Sequence, residues 1–159
     1  MMPRDDVDRI MEVMEAAFDP FWGEAWNRAQ IEGALALGNC RYWLIAPHGQ
    51  APEEGETAAG FALVRQVLDE AELLLFAIAP QWRRQGLGAR LLTKTLEDMK
   101  KSGIDKIMLE MRRGNPAEFL YRTAGFTPIG RRPKYYRCAD GERIDAMTFS
   151  FLCNEQSNY

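Results

Sequence analysis

Residues 73–92 constrain the fold of this chain more than any other stretch. Leu73 to Ala79 is an unbroken apolar run, which reads as a buried strand. A short basic turn, Arg83-Arg84-Gln85-Gly86, follows it. Leu87, Leu91, Leu92, Leu96 and Met99 then recur at helical spacing. Strand, glycine turn and helix in that order make a phosphate-binding arrangement. Gly86 and Gly88 let a ligand approach the backbone, and the helix start offers unpaired N–H groups and a positive dipole end.

The rest of the chain reads as alternating elements. Val7, Ile10, Met11, Val13, Met14, Ala17 and Phe18 give a helix over 6–17, and 24–37 reads as a second. A short strand over 41–46 precedes a Gly/Pro/Glu-rich stretch, 47–57, expected to be a mobile surface loop. Strands over 58–68 and 72–79 form a hairpin turning at Leu68-Asp69-Glu70-Ala71. The central helix, 85–102, ends at Gly103. A strand over 106–111, a helix over 115–124 with Pro116 in its first turn, and strands over 126–131 and 143–152 complete the order α-α-β-β-β-α-β-α-β-β. The 159 residues contain no repeat or linker and read as one domain, 1–159.

Several functions are disfavoured. A net charge of −3 argues against non-specific nucleic-acid binding. The clusters Arg83-Arg84, Arg112-Arg113 and Arg131-Arg132-Pro133-Lys134 are local anion sites or solvated surface. No apolar run of about 18 residues suggests a membrane span, and the polar start, Met1 to Asp6, is unlike a secretory signal. The expected compartment is the cytoplasm. Cys40, Cys138 and Cys153 lack the spacing of a zinc site or disulfide framework, so no metal is expected. His48, the single histidine, reads as a loop residue, which disfavours Ser-His-Asp or Cys-His machinery. The glycine turn lacks the Gly-Lys-Ser/Thr ending of a P-loop.

Arg83-x-x-Gly86-x-Gly88 between strand and helix, followed by Tyr121-x-x-x-Gly125-Phe126, resembles the acetyl-CoA-dependent N-acetyltransferases of the GNAT fold over nearly the whole chain. Val67 to Ala71, Gln85 to Gly88, Leu109 to Arg112, Arg131-Arg132-x-x-Tyr135-Tyr136 and Asp145 to Met147 look like the RimI-type enzymes, which acetylate the N-terminal alanine of a small-subunit ribosomal protein. Pro20-Phe21-Trp22-Gly23-Glu24 is similar to that type's Phe-Pro-Trp-Ser motif. The resemblance implies an α/β (α+β) fold: one mixed, mostly antiparallel sheet, splayed at the acetyl-CoA site, with helices on both faces.

It also implies roles. The pyrophosphate of acetyl-CoA would take the N–H groups of Arg84, Gln85, Gly86, Leu87, Gly88 and Ala89, with charge from Arg83 and Arg84. The pantetheine arm would pair with the strand edge at Phe76, Ala77 and Ile78, where an amide faces the thioester. Glu110 matches the family's general base, or is a strand-end carboxylate paired with an arginine. Tyr121 matches the tyrosine that protonates the leaving thiolate, or is an aromatic packed between helix and sheet. Asn115 matches an asparagine that contacts the coenzyme arm, or caps the helix. Two departures stand out: Asn115 to Tyr121 is one residue shorter than the family's pattern, and Ala79 stands where many relatives carry Asp. Trp22, Glu24 and Trp26 on one side, and Arg132, Tyr135 and Tyr136 on the other, would frame an acceptor groove, with Glu70 drawing in a positive amine. The acceptor is then expected to be a peptide or protein N-terminus, with that of a ribosomal protein as the case the resemblance implies. A small-amine acetyltransferase and a non-catalytic acyl-CoA sensor are the alternatives.

Overall fold

The computed structural model describes residues 4–153; Met1 to Pro3, part of the polar start read above, lie outside the described residues. Helix α1 (Arg4–Ala17) is followed by a short 3-10 turn, Pro20–Trp22, capped by Asp19. Helix α2 (Arg28–Ala36) starts four residues later than its apolar spacing suggested. Asn27 accepts from the Gln30 N–H, and Gln30 accepts from the Asn27 N–H. This capping box fixes the start and leaves Glu24 to Trp26 outside the helix, without regular structure. Next come β1 (Cys40–Ile45), β2 (Gly60–Val67), β3 (Glu70–Ile78), α3 (Leu87–Lys101), β4 (Lys106–Arg112), α4 (Glu118–Ala124), β5 (Thr127–Arg137) and β6 (Arg143–Leu152). The element order matches the sequence reading.

Three local features differ from expectation. The β2–β3 turn is tighter, Leu68-Asp69, with Leu68 in the left-handed region (φ 58°). The 47–57 stretch is tied down: Arg9 donates to the carbonyls of Glu56 (2.8 Å) and Glu53 (2.7 Å), and His48 pairs with Glu56. The basic, aromatic segment 132–137 belongs to β5, which bulges between Arg132 and Tyr136.

The strands form one sheet in the order β1-β2-β3-β4-β6-β5, antiparallel except for β3 against β4. That parallel pairing covers only Glu70–Leu73 against Lys106–Leu109. Past it, β3 and β4 diverge. The cause is in β3 itself. Leu63 opposes Leu75 while Val64 opposes Leu73, so Leu74 is a bulged extra residue.

The bulge also switches the faces. Ala71 and Leu73 pack under α3, whereas Leu75 and Ala77 pack under α1. After the bulge, Phe76 and Ile78 point to the α3 side. One core therefore lies between the sheet and α3/α4, built on Leu91, Leu92, Met99, Ile107, Phe126 and Phe149. The other lies between the sheet and α1/α2, built on Ile10, Met14, Ile31, Phe61 and Leu63. Among the described residues no helix is long and apolar enough to cross a membrane.

Candidate active site

The divergence of β3 and β4 leaves the far edge of β3 unpaired. Ala79 N–H bonds to Ala59 O across the β2 register, so by alternation Ala77 also faces β2. The backbone groups of Phe76 and Ile78 point the other way, toward the gap, and the Ile78 carbonyl accepts a bond from Arg83 Nε there (2.9 Å). The peptide-like edge thus consists of Phe76 and Ile78. The expected participation of the Ala77 amide does not hold, because that amide belongs to the β2 ladder.

The turn after β3 is a concave set of free donors. Arg83 N–H bonds to Pro80 O and Arg90 N–H to Gly86 O. Between them, the N–H groups of Arg84, Gln85, Gly86, Leu87, Gly88 and Ala89 find no acceptor among the described residues. Arg84 (φ 63°) and Gly86 (φ 79°) are left-handed, which curls these amides toward a common centre. Gly86 is required by its φ. Gly88 sits where α3 meets α4: a Cβ there would lie 3.4 Å from Leu120 Cδ2, an ordinary contact, so neither space nor φ demands glycine at this position. The exposed Arg84 side chain can add charge at this rim. Arg83 cannot do so in this conformation, since it bridges Ile78 O and Ala17 O. Free N–H groups at the start of a 15-residue helix suit a diphosphate, and an unpaired strand edge suits an amide-containing arm. The residues present therefore fit acetyl-CoA.

The gap opens into a cavity of about 140 Å³ lined by Glu24, Glu110, Asn115, Tyr121 and Tyr136 among apolar neighbours. Alternation in β4 puts Ile107, Leu109 and Met111 in the α3/α4 core, and Glu110 and Arg112 on the opposite face. Tyr121 comes from α4, in the α3/α4 core. The cavity thus passes through the sheet, with a carboxylate from one face and a phenol from the other. Glu110 Oε2 is buried and accepts no hydrogen bond; Arg132 Nε lies 3.2 Å away without the alignment for one. The Tyr121 hydroxyl has no hydrogen-bonding partner among the described residues, and burial, then the negative charge of Glu24, raises its pKa. Burial likewise pushes Tyr136 up to about 12, with Glu24 and Glu110 adding to the shift. Asn115 makes an Asx turn, its Oδ1 accepting from Ala117 N–H (2.9 Å), which leaves its amide N–H₂ group unused. The shortened segment still brings Asn115 and Tyr121 to one cavity.

Two walls flank the mouth. Trp22, in the 3-10 turn, lies under the Arg112 guanidinium at 3.9 Å. Tyr135 and Tyr136 contact edge to face, and Arg132 sits over Tyr135 at 5.3 Å. The Phe21 carbonyl accepts from Ala139 N–H, joining the walls. Glu70 is not part of this site. It opens β3, in register with Lys106, six residues before Phe76, at the other end of the strand. The sequence reading had put the hairpin tip beside the groove, but the long β3 carries it away. Arg112 was absent from the expected site; its β-alternation with Glu110 is the signal that would have found it.

An open sheet with a through-going cavity, a free strand edge and an anion cradle at a helix start defines the class of proteins built around an acyl-coenzyme A cleft. The chain belongs to the acetyltransferase (GNAT) family, whose model matches residues 7–126. It is 37% identical over 97 residues to the [ribosomal protein bS18]-alanine N-acetyltransferase of Haemophilus influenzae, a match spanning 61% of this chain and 66% of that protein, slightly under two thirds of its length. The enzyme of the same name from Haemophilus ducreyi is 32% identical over 143 residues, 89% of this chain and 90% of the relative. The crystal structure of the Escherichia coli ribosomal-protein-S18-alanine N-acetyltransferase superposes with a TM-score of 0.79 at 27% identity, covering 96% of this chain and 90% of that one.

Proposed function

We propose that this protein transfers an acetyl group from acetyl-CoA to the N-terminal α-amine of a protein, with the N-terminus of ribosomal protein bS18 as acceptor, in the cytoplasm. The observation that carries this reading is the passage through the sheet, where Glu110 and Tyr121 line one cavity from opposite faces beside the free edge of β3. The relatives' names supply the acceptor.

Acetyl-CoA supplies a thioester with an electrophilic carbonyl carbon and a sulfur leaving group. Arg84 to Ala89 hold its pyrophosphate through their N–H groups, and Arg84 adds charge. Phe76 and Ile78 bind its amide arm along β3, and an outward N–H of this edge stabilises negative charge on the thioester oxygen. Asn115 donates its free amide group to the arm. Glu110 takes the proton that an α-ammonium, with a pKa near 8, must lose before it is a nucleophile. Tyr121 holds its proton because burial disfavours the phenolate, and delivers it at the sulfur. Trp22, Arg132, Tyr135 and Tyr136 form the groove for the first residues of the acceptor.

The test is a turnover assay with acetyl-CoA on a peptide copying the start of bS18, on peptides beginning with Ser, Gly or Met, and on polyamines and free amino acids. The expected result is turnover of the alanyl peptide above all others. Turnover confined to small amines would overturn the reading.

A further inference from the structure

The cavity holds two carboxylates, and the proton transfer proposed above uses only Glu110. The other, Glu24, sits on the irregular segment before α2 and is held differently. Arg112 Nε lies 3.2 Å from Glu24 Oε1, and both side chains are nearly buried, 12% and 14% exposed. The same guanidinium is stacked on Trp22, so it is fixed on two sides. Glu24 Oε2 has no hydrogen-bonding partner among the described residues. The Glu110 pair is looser: Arg132 is 60% exposed and does not align with the carboxylate. One carboxylate is locked with an oxygen to spare, and the other is screened by an arginine that can swing away.

We propose that Glu24 is the seat of the acceptor's ammonium group: its free oxygen accepts one N–H of the incoming α-ammonium, fixing the nitrogen while Glu110 takes the proton. This rests on the acetyl-transfer reading and deepens it by assigning the residue that selects a cationic terminus.

A primary ammonium carries three donors and a charge, and leaving them unmatched in a partly buried cavity is costly. Glu110 alone, engaged at one proton, does not match them. Glu24 is itself destabilised as an anion by burial, and only partly relieved by Arg112. A cation bound beside it offsets that penalty. The charged and titratable groups around it come from each packed element: Arg112 and Glu110 of β4, Tyr121 of α4, Tyr136 of β5, and Cys138 beyond it; Arg112 stabilises the Glu24 anion, while Glu24 raises the pKa of Tyr121, Tyr136 and Cys138. Among them Arg112 is the one cation paired with Glu24, and it is held at Oε1.

The experiment compares binding of two peptides to the enzyme–CoA complex by calorimetry. One begins with alanine; the other begins with lactate, the same shape with a neutral hydroxyl for the ammonium. The wild type is expected to bind the alanyl peptide at least tenfold more tightly. Glu24→Gln, which keeps an oxygen for Arg112, is expected to lose that preference and raise the peptide KM about tenfold or more, with kcat reduced far less than in Glu110→Gln. Glu24→Asp, which keeps the charge, is expected to retain the preference. Unchanged acetyl-CoA affinity in each variant shows the fold intact. A Gln variant with wild-type discrimination, or an Asp variant without it, overturns the assignment while leaving acetyl transfer standing. A wild type that turns over no peptide overturns the protein N-terminus as acceptor, and this assignment with it.

Discussion

At the scale of single residues, the account separates chemistry from binding. Glu110→Gln removes the proposed proton acceptor but no proposed contact with the coenzyme. Its kcat is expected to fall by about 10²–10⁴ while acetyl-CoA affinity, measured by calorimetry, stays unchanged. Tyr121→Phe removes a hydroxyl that bonds to nothing in the described protein, so its stability should stay within about 0.5 kcal/mol of the wild type by urea unfolding, while kcat falls by about 10². A larger loss of stability would mean that the Tyr121 hydroxyl makes a structural bond in the folded protein, since the ring and its packing are kept. That both side chains reach one cavity was legible in the sequence, because strand alternation and the Tyr121-x-x-x-Gly125-Phe126 anchor are local properties. Arg83 was not. Its position in the basic turn suggested a phosphate contact, but a long side chain can reach back, and it meets the carbonyls of Ile78 and Ala17. No local pattern encodes that choice.

At the scale of elements, the site depends on how β3 ends and α3 begins. Gly86 caps α3 in the left-handed region (φ 79°) with open space around it, so Gly86→Ala adds strain and no clash. It is expected to cost about 1–2 kcal/mol in urea unfolding and to weaken acetyl-CoA binding. Gly60 faces the opposite situation. A Cβ there would lie 2.3 Å from Ile78 Cδ1 and 2.7 Å from Ala77 O. Gly60→Ala should therefore push β2 away from the paired edge of β3, lowering stability by about 1–3 kcal/mol and displacing the strand whose other edge is proposed to receive the coenzyme arm. The sequence showed most elements but misplaced two features for physical reasons. The Asn27-x-x-Gln30 capping signal was overlooked in favour of apolar spacing, so α2 was begun too early. The bulge at Leu74 is invisible in a run of leucines, yet it reverses which of Phe76, Ala77 and Ile78 faces the gap.

At the scale of the molecule, one sheet carries two cores, and the site is the place where the sheet is open. The β3–β4 pairing over Glu70–Leu73 and Lys106–Leu109 holds the halves together, and the rest of that seam is free for ligands. Burial of phenols gives the whole fold a pH signature. Tyr42, Tyr121 and Tyr136 all have raised pKa values, chiefly from burial, and Tyr136 reaches about 12. The unfolded chain releases these protons near pH 10, before the folded one does. The stability they contribute is fully present below about pH 10 and is lost as pH rises toward their folded values. The urea midpoint should fall between about pH 10 and 12, and less steeply in Tyr136→Phe. A flat profile would mean that the phenols are solvated.

The central claim is that acetyl-CoA lies along the free edge of β3 with its diphosphate on the start of α3. Backbone amide NMR during titration with acetyl-CoA tests this most directly. The account predicts that the largest shifts fall on the N–H groups of Arg84 to Ala89 and of Phe76 and Ile78, while the Ala77 and Ala79 amides in the β2 ladder move little. Saturable binding that leaves Arg84 to Ala89 and the β3 edge unperturbed would contradict it.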